Sequence, residues 1–270
     1  MSSISIIGCG AIGRLVAEGV HQGLAGDYRV VSVFDLPQRA RAASLAADIG
    51  CIMADDLGEM LATKPDLVIE AATGDALHQC AQACLEHGSS LIVLSSGALT
   101  DRAFLNSLLA LAVRHGVKIY VPSGAIGGLD LVRAAVMGEK AKAIFTSRKP
   151  PRALVGAPHL MGRDLCGLNR AETVFEGTVP EAVAGFPQNV NVAASLSLAM
   201  GGAEHIRQAV IADPELDLNV HRIEIQGSFG TASIEIRARP MSTNPKTSMV
   251  AAYSVLALLA RIKSPLEVGA

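Results

Sequence analysis

Hydrophobic residues in the first 121 positions follow two alternating patterns. Short runs rich in β-branched residues predict buried strands, and longer alanine- and leucine-rich segments between them predict helices. The predicted strands are Ile4–Ile7, Val30–Phe34, Leu67–Glu70, Leu91–Leu94 and Lys118–Val121. The predicted helices are Ile12–Gln22, Gln38–Asp48, Asp75–His87 and Asp101–His115. This alternation predicts an α/β fold with a doubly wound parallel sheet.

The pattern changes after Pro122. A helix is predicted at Leu129–Gly138, and the later strand-like runs come without regular helices between them. These runs are Ala143–Ser147, Thr173–Thr178, Gln208–Ala212, Val220–Gln226 and Thr231–Arg239. One helix at Asn189–Met200 interrupts them, and another is predicted at Lys246–Lys263. We therefore expect a second α+β domain with a mostly antiparallel sheet.

These patterns divide the chain into three parts. Residues 1–122 are expected to form the first domain and residues 123–244 the second. Residues 245–270 contain the last predicted helix, which is apolar nearly all round. Such a helix is buried, so we expect it to return to the first domain.

Composition narrows the class of partner. Half of the 270 residues are hydrophobic, the net charge is -2, and like charges form no block. These values disfavour nucleic acid and anionic membranes as partners and favour a small ligand. Five cysteines without a CxxC pair predict reduced thiols and no metal site. The first strand starts at once, without a basic or apolar leader, so we expect a cytoplasmic protein.

A glycine-rich turn follows the first predicted strand. Its pattern is that of a dinucleotide-binding turn: Gly8 permits the tight bend, Gly10 allows close approach of a pyrophosphate, and Gly13 allows the helix to pack against the strand. The first helical residues, Ala11 and Ile12, would present unpaired N–H groups to the phosphates. The alternative is an ordinary strand-to-helix corner.

Asp35 makes the dinucleotide interpretation more specific. It ends the second predicted strand, about twenty residues after the glycines, where a carboxylate accepts hydrogen bonds from the adenosine ribose. A carboxylate there repels a 2′-phosphate, which favours NAD over NADP. Arg39 and Arg41 follow closely and would offset part of that repulsion, so NADP is kept as an alternative cofactor.

Polar residues in the second half are candidates for substrate binding and catalysis. Asn189 fits either an N-cap or a substrate-binding amide, and Asn191 is predicted two residues inside the same helix. Thr243 and Lys246 open the last predicted helix, where the lysine is a candidate carboxylate anchor. His221, near the start of a predicted strand, is a candidate proton carrier because its ordinary pKa lies near 6.5. A purely structural role is the alternative for each.

Five motifs connect these residues: Gly8–Gly13, Pro122–Asp130, Phe186–Ala193, Asn219–His221 and Ser242–Ser248. With them the chain resembles the L-aspartate dehydrogenase family nearly end to end, although unrelated dehydrogenases share the first. The resemblance implies an N-terminal Rossmann domain and a second domain that carries the substrate pocket and the dimer contact. It also implies NAD(P) contacts at Ala125 and Asn191 and a catalytic role for His221. Arg237–Met241 departs from many relatives, which have an acidic residue and an asparagine there.

The resemblance implies reversible, NAD(P)-dependent oxidative deamination of L-aspartate. The products would be iminosuccinate, then oxaloacetate and ammonia, in a homodimeric enzyme that feeds NAD biosynthesis. One alternative is another two-domain dehydrogenase that acts on an aspartate-pathway intermediate or a dicarboxylic hydroxy acid. The other is a non-catalytic dinucleotide sensor, which would need neither His221 nor Lys246.

Overall fold

The computed structural model describes residues 1–137, 141–187, 190–241 and 244–269. The chain divides into two compact units. Unit 1 consists of Met1–Pro122 and Ala251–Val268, and unit 2 is built on Ser123–Val250.

The described part of unit 1 contains a six-stranded sheet. Its strands are β1 (Ser2–Ile7), β2 (Tyr28–Phe34), β3 (Ile52–Met53), β4 (Leu67–Glu70), β5 (Ser90–Val93) and β6 (Ile119–Tyr120). All neighbouring strands are parallel, in the order β3-β2-β1-β4-β5-β6. This is the Rossmann arrangement, in which strand order reverses between β1 and β4. The predicted parallel sheet is confirmed.

The helices of the first 122 residues are α1 (Ala11–His21), α2 (Arg39–Ile49), α3 (Leu57–Ala62), α4 (Gly74–Glu86) and α5 (Arg102–His115). Side-chain caps are present at the starts of α3, α4 and α5, and the caps of α4 and α5 illustrate their role. The Thr73 hydroxyl accepts from the N–H of Ala76, and the Asp101 carboxylate accepts from the N–H groups of Ala103 and Phe104. Both satisfy amides that an α-helix leaves unpaired in its first turn.

The short elements β3 and α3 were not predicted, because two strand residues and six helical residues give too weak a periodic signal.

The core of unit 1 includes side chains of the last helix, α9 (Met249–Lys263). Ala252, Val255 and Leu259 are fully buried in the cluster that contains the inner residues of β1 and β2. The Tyr28 hydroxyl also donates to the carbonyl oxygen of Leu259 at 3.1 Å. The burial of α9 follows from its largely apolar sequence.

The described part of unit 2 contains a five-stranded mixed sheet. Its strands are β7 (Lys142–Lys149), β8 (Glu172–Thr178), β9 (Ile206–Ala212), β10 (Asn219–Gly227) and β11 (Gly230–Ala238). The order is β11-β10-β7-β9-β8; β7 and β9 are parallel and the other neighbours antiparallel. The prediction of a mostly antiparallel second sheet is confirmed.

The helices of unit 2 are α6 (Leu129–Ala135), α7 (Val179–Gly185) and α8 (Asn191–Ala199). Side chains from all three share a core with one face of the sheet, around the fully buried Phe145. The prediction of no regular helix between the strands was wrong at α7. Thr178 and Glu181 form a capping box at its start, which stabilises this short helix.

The prediction for the last helix was wrong at its start. Residues 246–248 belong to strand β13 (Asn244–Ser248), which pairs with β12 (Pro240–Met241), and α9 begins only at Met249. Residues 246–248 therefore form part of an antiparallel strand pair. Local helix signals do not reveal such a pairing.

Candidate active site

The turn after β1 has the geometry that close approach of a pyrophosphate requires. Gly8 has a φ of +92°, and a Cβ there would lie 2.6 Å from the carbonyl oxygen of Ala71. A Cβ at Gly13 would overlap the carbonyl oxygen of Gly8, whereas a Cβ at Gly10 would meet no atom within 4 Å. Two glycines are thus required by packing, and Gly10 borders open space beside the backbone.

The N-terminus of α1 begins immediately after this turn. Gly10 occupies the N-cap position and makes no side-chain cap, and Ala11 and Ile12 are the first two helical residues. Amides at this position lack intrahelical acceptors and carry partial positive charge, so they suit a phosphate. The turn lies at the reversal of strand order, where sheets of this class bind ligands.

Asp35 is connected directly to the glycine turn. It follows the last residue of β2, and its carboxylate accepts from the N–H of Cys9 at 2.8 Å and from that of Gln38 at 3.2 Å. These bonds fix the carboxylate beside the turn. Arg39, considered above as a partner for a 2′-phosphate, instead forms an ion pair with Asp55.

Glu70 ties together the loops that follow β4 and β5. Its fully buried carboxylate accepts from the N–H of Ala72 at 2.8 Å, from the N–H of Ser95 at 3.0 Å and from the Ser95 hydroxyl at 2.8 Å. Burial raises the pKa of Glu70, and these hydrogen bonds oppose that shift. Glu70 therefore holds the loops after β4 and β5 in place at the carboxyl edge of the sheet.

A second group of polar side chains lies in unit 2, on two neighbouring strands. We call it the polar patch; it consists of Ser147, Lys149, Asn219 and His221. Ser147 pairs with His221 across β7 and β10, and Lys149 and Asn219 lie two residues further along the same strands. Because side chains two residues apart share a face, all four lie on the inner face. None is more than 3% exposed.

Several polar atoms of the patch have no hydrogen-bond partner among the described residues: Ser147 Oγ, Asn219 Oδ1 and His221 Nδ1. A buried polar atom without a partner costs about 1–3 kcal/mol. Three such atoms on adjacent strands therefore indicate a site that a polar ligand completes.

The environment of His221 changes its protonation. Burial, and to a smaller extent the charge of Lys149, lowers the pKa of His221 to about 3. The ring also stacks on Phe145, with the two ring centroids 5.6 Å apart. The expectation of an ordinary pKa near 6.5 was therefore wrong for this buried ring. The imidazole is neutral at pH 7 and presents Nδ1 as a hydrogen-bonding atom.

Other predicted site residues lie elsewhere in unit 2. Ala125 is buried in the segment before α6, and Asn191 is the first residue of α8 rather than two residues inside it. Lys246 lies in β13, so its predicted place at a helix start was wrong. Asn189 and Thr243 lie outside the described residues.

Ser147 and Lys149 were not identified from the sequence. The alternation of inward and outward positions along β7 could have revealed them. Ala143 and Phe145 point into the core, and the next two inward positions are Ser147 and Lys149. Polar residues at the buried phase of a strand indicate function or a buried network.

The described residues contain no helix that is long and apolar enough to cross a membrane. They also contain no group of three His, Cys, Asp or Glu side chains that could hold a metal ion. All five cysteines lie in the described part and are free. Burial raises the pKa of Cys9, inside the glycine turn, to about 12, so it is a packing residue rather than a thiolate.

Family models match both parts of the chain. Residues 8–122 match the model "Homoserine dehydrogenase, NAD binding domain", and residues 130–262 match "Aspartate dehydrogenase, C-terminal". The first match includes the glycine turn and Asp35, and the second includes the polar patch.

The chain is also similar over its full length to known proteins. It is 39% identical to the L-aspartate dehydrogenase of Methanosarcina mazei and 35% identical to that of Methanococcus maripaludis strain C6, with 100% of each chain covered. The aspartate dehydrogenase structure from Thermotoga maritima matches with a TM-score of 0.76 and 26% identity, covering 99% of both chains. A hyperthermophilic archaeal homoserine dehydrogenase, 14% identical with a TM-score of 0.61, supports the fold alone.

A Rossmann sheet with a glycine turn and a carboxylate after the second strand is the arrangement of an NAD(P)-binding domain, and both matched family models are those of dehydrogenases. The full-length similarity then specifies the group: the chain belongs to the aspartate dehydrogenase family. The predicted family, enzyme class and cofactor class are confirmed.

Proposed function

We propose that this protein oxidises L-aspartate with NAD(P), giving oxaloacetate and ammonia. The observation that carries the proposal is the 39% identity, over the whole of both chains, to an L-aspartate dehydrogenase. Oxidation removes a hydride from Cα and a proton from the amine, and leaves iminosuccinate. Water then adds to the C=N bond, and ammonia departs.

The cofactor supplies the hydride acceptor of this reaction. Gly8 and Gly13 allow the turn and the helix to pack closely, Gly10 leaves space for its pyrophosphate, and the amides of Ala11 and Ile12 bind the phosphate oxygens. Asp35 accepts from the ribose hydroxyls and disfavours a 2′-phosphate, so NAD is preferred. Ala125 and Asn191 make further cofactor contacts.

His221 is proposed as the residue that exchanges a proton with the substrate amine or with the attacking water. Its buried Nδ1, without a partner among the described residues, is free to do so. The ring is neutral at pH 7, so one ring nitrogen carries a lone pair that can accept a hydrogen bond or a proton from the substrate. Lys246, Asn189 and Thr243 are proposed to bind the substrate.

The homodimer, the cytoplasmic location and the supply of iminosuccinate to NAD biosynthesis are part of the same proposal. The dimer rests on the family resemblance, which implies that the second domain carries the dimer contact. Light scattering of the purified protein measures the mass directly.

Steady-state rates with a panel of substrates test the activity. L-Aspartate should give a kcat/KM at least about a hundredfold above L-alanine, L-homoserine, L-glutamate and L-malate, because buried donors left unpaired by a poorer match cost about 1–3 kcal/mol each. Equal or faster reduction of NAD with L-homoserine or L-malate would assign a different dehydrogenase activity. Binding of NAD without turnover of any substrate would favour the sensor.

A further inference from the structure

Glu70 ends β4 with a fully buried carboxylate that joins two loops. Its Oε1 accepts from the N–H of Ala72 and from the Ser95 hydroxyl, and its Oε2 accepts from the N–H of Ser95. Ala72 belongs to the loop after β4, and Ser95 belongs to the loop after β5. Each carboxylate oxygen therefore serves a backbone N–H group, which requires a side chain with two acceptor oxygens.

The loop after β4 packs directly against the glycine turn. An added Cβ at Gly8 would lie 2.6 Å from the carbonyl oxygen of Ala71 and 2.8 Å from the nitrogen of Ala72. The N–H of Ala71 donates to the carbonyl oxygen of Ile7 at 2.8 Å, whereas the N–H of Ala72 donates to Glu70. Backbone bonding to β1 thus holds the loop against the turn, and Glu70 holds the chain from Ala72 onward.

The loops after β4 and β5 also contact each other. An added Cβ at Gly74, the first residue of α4, would lie 3.5 Å from the Cβ of Ala98, which is an ordinary van der Waals distance. Because Glu70 bonds to both loops, its carboxylate fixes their positions relative to each other.

The strand order gives the direction in which a dinucleotide would cross this edge of the sheet. Asp35 follows β2 and the glycine turn follows β1, while β4 and β5 lie on the other side of β1. A dinucleotide with its adenosine ribose at Asp35 and its pyrophosphate at the turn therefore has its second nucleoside at the loops after β4 and β5. In NAD, that second nucleoside carries the nicotinamide.

We propose that Glu70 is a positioning residue for the nicotinamide half of the cofactor, and that it acts through the loops after β4 and β5. The proposal rests on the dinucleotide site proposed above and adds a residue that is too deeply buried to touch the cofactor itself. The carboxylate fixes the backbone beside the nicotinamide nucleoside. Its loss should therefore weaken binding of that half and spare the adenosine half.

The test compares Glu70→Gln with Ser95→Ala and with Glu86→Gln. Glutamine keeps the size of Glu70 but replaces one acceptor oxygen by an NH₂ group, which then faces a backbone N–H. Ser95→Ala removes only the hydroxyl that donates to Glu70. Glu86, an exposed glutamate in the last turn of α4, provides the control. NAD and AMP are titrated separately by calorimetry into each purified protein, because AMP lacks the nicotinamide half.

Glu70→Gln should raise the Kd for NAD at least about tenfold, because a bond to a charged group is lost and a buried N–H is left without an acceptor. Its Kd for AMP should stay within about twofold of the wild type, because Asp35 and the N-terminus of α1 are unchanged. Ser95→Ala should raise the Kd for NAD at least about threefold, and that for AMP by less than about twofold. Glu86→Gln should change neither value by more than about twofold.

Two results would overturn the proposal. One is a Glu70→Gln protein that binds NAD within about threefold of the wild type, although a buried N–H has lost its acceptor. The other is equal weakening of NAD and AMP binding, which would define a general structural role. If Glu70→Gln does not fold, the same comparison in Ser95→Ala decides: an unchanged Kd for NAD, or an equal loss for both ligands, overturns the proposal.

Failure of this inference and failure of the proposed function are distinguishable, because neither titration contains substrate. A wild type that binds NAD, with the expected difference in Glu70→Gln, but does not oxidise L-aspartate would refute the proposed function alone. A wild type that oxidises L-aspartate, with normal NAD binding by Glu70→Gln, would refute only the role of Glu70.

Discussion

Ser147 and His221 lie directly opposite each other on neighbouring antiparallel strands, and each holds a buried polar atom without a partner among the described residues. Side chains at such paired positions are close, with Cβ atoms about 4.5–5.5 Å apart. The pair therefore forms part of the polar patch on the inner face of the unit 2 sheet. This is the part of unit 2 to which we assign proton transfer.

Replacing His221 tests that assignment. His221→Ala should lower kcat by about 10²–10⁴-fold, because general acid–base catalysis by a positioned side chain contributes that much. The Kd for NAD should remain unchanged. Stopped-flow and steady-state measurements give both values.

The matched control is His115→Ala, which changes an exposed histidine in the last turn of α5. It should behave as the wild type. If His221→Ala kept wild-type turnover between about pH 6 and 10, a range in which the wild-type ring is neutral in the free protein, the residue would have no part in proton transfer.

Two glycines of the first turn should respond differently to the same substitution. Gly10→Ala should fold with little loss of stability, because its Cβ meets no atom, yet it should raise the Kd for NAD at least about tenfold by occupying the pyrophosphate space. Gly13→Ala should lower the melting temperature as well, because its Cβ overlaps Gly8. Calorimetry and thermal unfolding separate the two effects. Unchanged NAD binding by Gly10→Ala would place the pyrophosphate elsewhere.

Asp35 should control the choice between NAD and NADP. Asp35→Ser removes the charge that repels a 2′-phosphate, so the NADP/NAD ratio of kcat/KM should rise at least about tenfold, or 1.4 kcal/mol. The control is Asp48→Ser, which changes an exposed carboxylate of α2 that pairs with Arg14. A ratio that stays constant in Asp35→Ser would show that Asp35 does not contact the ribose.

The pH dependence of stability should report the buried Lys149. Its pKa is about 8 when folded against an ordinary value of 10.5, so between these values the unfolded chain binds a proton that the folded chain does not. This group therefore lowers stability as pH falls from 10.5 to 8, by about 3 kcal/mol in total. Urea unfolding should show Lys149→Met gaining stability over the wild type at pH 8 and losing that gain at pH 10.5. An equal difference at both values would contradict the burial of the charge.

The sequence predicts the features of this fold that depend on local pattern. Gly8, Gly13 and Asp35 are recognised by spacing, because the turn and the following helix are contiguous in sequence. The inward position of Lys149 depends on how β7 is placed against β9 and β10, so it requires the sheet register. The start of α9 was misplaced for a related reason, since the pairing of Pro240 with Ser248 competes with helix formation.

The most direct test of aspartate oxidation follows the hydrogen on Cα. The protein is incubated with NAD and L-aspartate that carries deuterium at Cα, and the reduced cofactor is analysed by mass spectrometry. We expect the reduced cofactor to gain the deuterium, and oxaloacetate and ammonia to form in equal amounts. Reduced cofactor without deuterium, or no reduction with L-aspartate under conditions where NAD binds, would contradict it.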